Sequence, residues 1–478
     1  MHPIFKRKSK ADAKNYRGVH LTPQLSKVVE RAVASLFLPF IDTEGLFGPH
    51  QYAYGKGRGY KDALFVNTCT WLLRLEEGFA LGLYCSDVSG AFDRVSRTRL
   101  CDKLRITGLH PDIVGFLESW LEDREARTIV GGKASRPELL ANSVFQGTVL
   151  GPPLWNLFFE DASSTTHTGG YSQTTFADDL NTWRAFGYSG DVSVPAFHRD
   201  ILDDLKTTQS ELHVWGRTNR VSFDVSKESL HILHRRFPHG NDFKILGVMY
   251  DTKLLMHSAA RVVATEAGWR LQSLLHAKQF FSMVDLFRLY KSQILSYIES
   301  STSAVYHAST TVLHRIDRVQ LRFLREIGCS EFRALAQFRL APLESRRDIS
   351  MLGALHRVVL GCAPPQAAAL FPVLGVVDEP FRRQFLRHWR PLHNRQMATP
   401  VTFASTDVLK RSVFGLVRCY NRLPQEIVDI SSVKNFQRRL QLALIRFAKT
   451  GAENWQRLFS VQWQRMHRGK FHDLFVGR

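Results

Sequence analysis

Twice in this chain a short apolar run, too short for a helix, ends on aspartate: LGLYCSDV at residues 81–88 and TTFADDL at 174–180. Each reads as a buried strand that delivers a carboxylate to its end. If the two strands lie side by side, Asp87, Asp178 and Asp179 converge on one edge. Adjacent carboxylates at the end of an apolar strand do not both stay ionised in a dry site without a counter-cation. A divalent metal is the simplest partner, and Mg²⁺ favours one or two carboxylates plus substrate phosphates. Three carboxylates suit two metals about 3.5–4 Å apart, an arrangement that activates an attacking hydroxyl and stabilises a leaving phosphate. A solvated Asp-Asp turn is the blander reading of a lone pair; two such strand ends in one chain weigh against it.

The charge distribution sharpens the contrast. The 478 residues carry 64 Lys and Arg against 44 Asp and Glu, a net charge of +20. Residues 1–250 contribute only +2 of that, and residues 251–478 contribute +18. A surplus of this size points to a polyanionic partner, nucleic acid or an acidic membrane face. Yet from Pro137 to Trp183 there is no Lys or Arg, while Glu138, Glu160, Asp161, Asp178 and Asp179 all lie there. The acids therefore sit in an island inside a basic chain.

Several classes are set aside. No apolar run is long enough for a membrane span, and the N-terminus MHPIFKRKSKADAK lacks the apolar stretch of a secretory signal. The six cysteines are scattered with no C-x-x-C pair, so a reducing, intracellular compartment is expected, and neither zinc knuckles nor disulfides. Hydrophobic residues at 44% and charged residues at 23% are ordinary values for a packed protein. Helical spacing is expected over Leu25–Phe40, in two runs across 97–122 split by Gly108 and Pro111, and through most of the chain past Asp251. Pro364-Pro365 is expected to break the chain, 371–405 to be irregular, and SVKNFQRRLQLALIRFAKT to form a last basic helix.

These pieces resemble the reverse transcriptase domain of non-LTR (LINE-like) retrotransposons. SDVSGAFDRV (Ser86–Val95) resembles the first palm motif, FQGTVLGPPLWNLFF (Phe145–Phe159) the Q-G-S-x-L-G-P segment, and FADD (Phe176–Asp179) the third palm motif. All three stand in the family's order. PIFKRKSKADAKNYRGVHLT and GKGRGYKDALF are similar to fingers segments, and WGRTNRVSFDVSKESLHIL and FKILGVMYD to the fourth and fifth palm motifs. LYKSQILSYIES, IDRVQLRFLREIG and LAPLESRRDISMLGALHRV are similar to the thumb and adjoining region. RSVFGLVRCYNRLPQEIVDISSVKNFQRRL resembles the family's tail segment. Phe145 stands where Pro is usual, Thr148 where Ser is, and Pro153 where Leu is commoner. A rigid Pro152-Pro153 pair is expected to shift the helix that supports the template base pair.

The resemblance implies an α+β right-hand polymerase: fingers and palm, with a small antiparallel sheet, in 1–250, a helical thumb and connecting region in 251–365, and a basic, mostly helical C-terminal region in 366–478. The implied activity is RNA-directed DNA polymerisation, with Asp87, Asp178 and Asp179 as catalytic metal ligands for two Mg²⁺ ions (Mn²⁺ as a substitute). Lys6 and Arg17 are expected at the triphosphate, the Arg as a bidentate fork. KRKSK also reads as a solvated basic arm or a nuclear localisation run, with equal weight. Phe92 is the expected gate against a 2′-OH, against the plainer reading of a core Phe. Gln146 and Gly147 are expected to pack on the incoming nucleotide, Gly for close backbone approach. Lys227 is a candidate general acid for the pyrophosphate, against a plain surface Lys. Expected partners are an RNA template, a DNA primer or target and dNTPs, with no membrane; the nucleus is the expected location, with the cytoplasm as the alternative. The aromatics Trp269, Phe280, Phe281 and Tyr290 read as core more than as stacking platforms. Arg382, Arg383, Arg387 and Arg390 carry charge without a motif. Family members usually carry an endonuclease and an N-terminal extension before the fingers, and this chain starts almost at Lys6, which leaves open a truncated, inactive nucleic-acid-binding remnant. A group II intron-type maturase is a more distant alternative, with no distinct signature in the tail.

Overall fold

The computed structural model describes residues 1–6, 9–140, 142–167, 170–374, 393–460 and 474–475. It is a mixture of helix and sheet that divides into two compact units: Met1–Tyr60 with Leu81–Ile232, and Lys61–Ala80 with Leu233–Arg478. Among the described residues no helix is long and apolar enough to cross a membrane.

The first unit is organised by a four-stranded sheet in the order Ser229–Leu233, Ala80–Cys85, Asp179–Phe186, Ser172–Phe176. Ala80–Cys85 is buried at every position, as a strand covered on both faces must be. A Cβ on Gly82 would stand 2.8 Å from Ile201 and 2.9 Å from Phe186, so only Gly lets the covering helix come this close. That helix, Val194–Asn219, buries Ile201, Leu205, Thr208, Leu212, Trp215 and Asn219 along one face, and Ser193 caps its start through the Ala196 amide. Ser172–Phe176 and Asp179–Phe186 form an antiparallel hairpin whose last pair is Phe176 with Asp179. The helices Gln24–Thr43, Arg97–Ile106 and Pro111–Trp120 fall where the periodicity places them. Pro152 and Pro153 lie in the first turn of the buried helix Gly151–Phe159, where the amide hydrogens that proline lacks have no partner within the helix.

The second unit is mostly helical. His257–His276 packs along Thr310–Glu326, and Leu343–Val359 packs against Val433–Lys449. Arg347 joins two of these helices by a bidentate pair to Asp317, at 2.6 and 3.0 Å. Thr310–Glu326 turns Arg315, Arg318, Arg322 and Arg325 to solvent and buries Val312, Ile316, Val319 and Phe323. The run through LYKSQILSYIES is helical but holds a π-helical stretch at Tyr290–Leu295. Pro364-Pro365 follows the end of one helix and starts the next, Pro365–Leu370. Tyr290 is buried, whereas Trp269, Phe280 and Phe281 are exposed. Arg382, Arg383, Arg387 and Arg390 lie outside the described residues.

Candidate active site

The hairpin turn that presents the paired acids is held against its own preference. The register leaves Ala177 and Asp178 as the turn, and Ala177 has φ of +58°. For a residue with a side chain that region costs about 1–2 kcal/mol, which is why Gly usually takes it. Beside the turn, Ser86 donates its amide to the Leu180 carbonyl at 3.0 Å, and Asp87 accepts at its own carbonyl from the Asp224 amide at 2.9 Å. Asp87 is thus stitched between the hairpin and the loop that carries Lys227.

A cavity of about 1110 Å³ opens here, inside the first unit. Lys6, Arg17, Asp87, Phe92, Gln146, Gly147, Asp178 and Lys227 all line it, eight of the residues singled out from the sequence. Asp179, the ninth, is not among the lining residues; it follows Asp178 as the first residue of the strand and is exposed. Lost hydration pushes the Asp178 carboxyl up, with the charge of Asp87 adding to it. Asp179 is pushed up to about 6 by lost hydration and then by Asp178 and Asp87. Three acids therefore feel one another, and neither Asp178 nor Asp179 forms an ion pair among the described residues.

Arg17 and then Lys227 oppose that rise at Asp178, and Lys227 is the cation bonded to Asp87. Its ammonium donates to Asp87 Oδ2 and also pairs with Asp224 Oδ2, each at 2.8 Å. These bonds, Asp224's first, hold the Lys227 proton more tightly than usual, and they draw Asp224 down to about 2. The neighbouring Glu228 fixes this loop from beneath, accepting from the Tyr84 hydroxyl at 2.7 Å and the Gln209 amide at 2.6 Å. Among the described residues no three His, Cys, Asp or Glu side chains form a ready metal cluster. The donor chemistry fits a hard divalent cation all the same. Carboxylates raised by desolvation and mutual repulsion are what such an ion relieves.

The same cavity is lined from a hairpin that pairs His2–Phe5 with Tyr16–Val19, setting Ile4 opposite Arg17. Lys6 continues it, its amide donating to the Asn15 carbonyl at 2.7 Å. Lys6 and Arg17 are both exposed. Gly147, at φ +112°, is forced by contact: a Cβ would sit 2.5 Å from the His20 carbonyl oxygen. The His20 amide donates to the Gln146 carbonyl at 2.9 Å, and the Phe145 ring stacks on His20 at 4.5 Å. Phe92 lines the cavity while its other side stacks on the buried Trp155 at 5.7 Å. The ring is buried at 9% exposure and also borders the cavity.

Three contributors carry no visible signal in the sequence. Glu30, buried in the helix Gln24–Thr43, accepts from the Val149 amide at 2.5 Å and the Leu150 amide at 3.3 Å, ahead of the helix Gly151–Phe159. Gln51 bonds to the Ala177 peptide, and Tyr54 lines the cavity with its ring edge toward Phe92 at 6.5 Å.

A strand-end acid pair, a third acid beside it and basic residues lining a large cavity are the parts that a phosphoryl-transfer centre uses. The family model described as Reverse transcriptase (RNA-dependent DNA polymerase) matches residues 6–248, about half of the chain. The chain belongs to that family. It is 25% identical over 345 residues to the probable RNA-directed DNA polymerase from transposon X-element of Drosophila melanogaster, covering 68% of this chain and 37% of that protein. It is 24% identical over 347 residues to the RNA-directed DNA polymerase from mobile element jockey of Drosophila funebris, covering 67% and 36%. These relatives belong to non-LTR retrotransposons, and the chain spans little more than a third of their length. A solved telomerase from Candida tropicalis with a TWJ fragment of telomeric RNA aligns over 66% of this chain and 55% of its own, at 12% identity and a TM-score of 0.36.

Proposed function

We propose that this reverse transcriptase domain is the polymerising centre of a non-LTR retroelement, copying an RNA template by extending a DNA primer with dNTPs. The observation that carries the reading is that Asp87, Asp178, Lys6 and Arg17 line one cavity. In the reaction the primer 3′-oxygen bonds to the α-phosphorus of the dNTP. The bond from that phosphorus to the bridging oxygen breaks, the hydroxyl loses its proton, and pyrophosphate leaves.

Asp87, Asp178 and Asp179 are the residues that would hold divalent metal, for which Mg²⁺ is the expected ion. When bound, such ions supply charge neutralisation for the attacking and leaving oxygens. Lys6 and Arg17 bind the triphosphate, the guanidinium by two parallel bonds. Gly147 lets the backbone beside Gln146 approach the nucleotide. Phe92, backed by Trp155, presents a ring under the sugar where a 2′-OH would need room. Lys227 keeps a proton beside Asp87 and is the candidate donor to pyrophosphate, a step that requires its bonds to Asp87 and Asp224 to loosen. On this reading, fingers and palm occupy 1–250, a helical thumb 251–365 and a basic region 366–478. The exposed arginines of Thr310–Glu326 and the basic helix Val433–Lys449 then contribute sequence-independent phosphate contacts. An element of this kind works on nuclear DNA.

The test is extension of oligo(dT) on poly(rA) with Mg²⁺, comparing the wild type with Asp87→Asn, Asp178→Asn and Asp179→Asn. Synthesis by the wild type alone, with RNA affinity kept in all four, is the expected result. Synthesis unchanged by the substitutions overturns the assignment, and silence from the wild type with RNA binding retained points to an inactive remnant.

A further inference from the structure

The Asp178–Asp179 turn is presented by an unfavourable backbone, and the side chain that holds it comes from 126 residues earlier. Gln51 is 4% exposed. Its Oε1 accepts from the Ala177 amide at 2.9 Å, and its Nε2 donates to the Ala177 carbonyl at 3.2 Å. Both polar groups of the one peptide residue at φ +58° are thereby satisfied by a single amide. The backbone on either side of Gln51 is fastened to the same hairpin: Tyr52 donates to the Thr175 carbonyl at 2.8 Å, and Thr175 donates to the His50 carbonyl at 2.9 Å.

The residue type matters. A planar amide carries both a donor and an acceptor, so it can satisfy the N–H and C=O of a single residue as a neighbouring strand would. Glutamate has no donor for the Ala177 carbonyl, asparagine is one methylene shorter, and leucine has neither group. The clamp also reaches the cavity wall. Oε1 accepts a second bond from the Ala53 amide at 3.0 Å, and the next residue, Tyr54, at φ +60°, lines the cavity beside Phe92.

We infer that Gln51 is a positioning residue of the polymerase centre: its amide locks Ala177 in the left-handed conformation that presents Asp178 and Asp179, and through Ala53 it seats Tyr54 beside Phe92. The inference rests on the polymerase reading of the site for its effect on rate, but not for the clamp itself.

The test has two arms on the full chain. Hydrogen exchange reads the clamp without any reaction: in Gln51→Leu the Ala177 amide is expected to exchange about tenfold faster or more, while Leu83 in the central strand keeps its protection. Primer extension reads the consequence. Gln51→Leu is expected to lower kcat by about 10- to 100-fold, as loss of a supporting partner behind a ligand does. The KM for dNTP should stay within about threefold, since binding of the triphosphate is made elsewhere. Adding Ala177→Gly should restore part of the rate, because Gly takes this φ without penalty and needs less holding. If Gln51→Leu fails to fold, Gln51→Asn keeps a neutral amide one methylene short of Ala177, and a smaller drop in kcat is expected. Unchanged exchange at Ala177, full kcat in a folded variant, or no rescue by glycine would each overturn the inference. A wild type without activity overturns the polymerase reading instead, and the exchange arm still decides whether Gln51 holds the turn.

Discussion

In the unit that carries Leu233–Arg478, the buried guanidinium of Arg347 meets Asp317 through two bonds of 2.6 and 3.0 Å. In the unit that carries the hairpin, Asp178 and Asp179 meet another acid, Asp87, and the nearest ammonium is already shared between Asp87 and Asp224. The first arrangement neutralises charge within the chain and serves the fold. The second leaves charge unresolved at a cavity wall, a cost to the fold that a bound cation would offset. Carboxyl groups raised by burial occur in both units, so burial alone does not mark a functional site. Asp348 is pushed up to about 7, yet it accepts a bond from the Tyr306 hydroxyl at 2.7 Å beside the Arg347 pair. The informative difference is that, among the described residues, no ion pair neutralises Asp178 or Asp179.

That difference is open to attack by mutation, and the largest effect is expected at the hairpin. Asp178→Asn should lower primer extension by orders of magnitude while the melting temperature holds or rises, because it removes a desolvated charge that sits beside Asp87 without an ion pair of its own. A matched loss of rate and folded protein would undo the contrast. Next comes Asp317→Ala, which strands Arg347 at 7% exposure. Leaving one member of such a pair unpaired costs about 3 kcal/mol, so denaturant unfolding should show a large loss of stability. Extension per folded molecule should stay close to wild type.

A smaller, pH-dependent effect is expected from Asp348→Asn. The folded chain holds the Asp348 proton up to about pH 7, whereas the unfolded chain releases it near the ordinary value of about 4. Between those values the folded state binds more protons, so this group's contribution to stability falls as pH rises through the window. The asparagine variant should melt a few degrees above wild type at pH 8 and show no advantage below pH 4. An equal difference at both pH values would contradict the assignment. The smallest stability change belongs to Lys227→Ala. Its pairs are a third to half exposed, and pairs of that kind are worth less than about 1 kcal/mol. The melting point should barely move, whereas extension should slow if Lys227 is the proton donor.

How much of this was readable from the chain depends on how local each signal is. Asp87, Asp178 and Asp179 could be singled out because an apolar strand ending in acid is written in consecutive residues. The cavity also gathers Lys6, Arg17, Phe92, Gln146 and Gly147, which entered through family motifs and not through any local pattern. Gln51 was invisible because its partner lies 126 residues away and a buried Gln looks like any surface Gln in sequence. The same holds for Glu30, whose acceptor role toward Val149 and Leu150 depends on tertiary approach. Pro364-Pro365 read as a break, yet proline is as much a helix starter as a helix breaker, and here it opens Pro365–Leu370. The π-helical stretch at Tyr290–Leu295 leaves the apolar spacing of its segment nearly unchanged, so periodicity passes over it.

The most direct test of the central claim is to follow Mg²⁺-dependent extension and thermal melting together for wild type and the Asp178→Asn/Asp179→Asn double variant. The account predicts extension by the wild type only, with the variant melting at or above the wild-type temperature. Extension by the variant, or a variant that loses its fold along with its rate, would contradict the claim that these acids serve the reaction and not the structure.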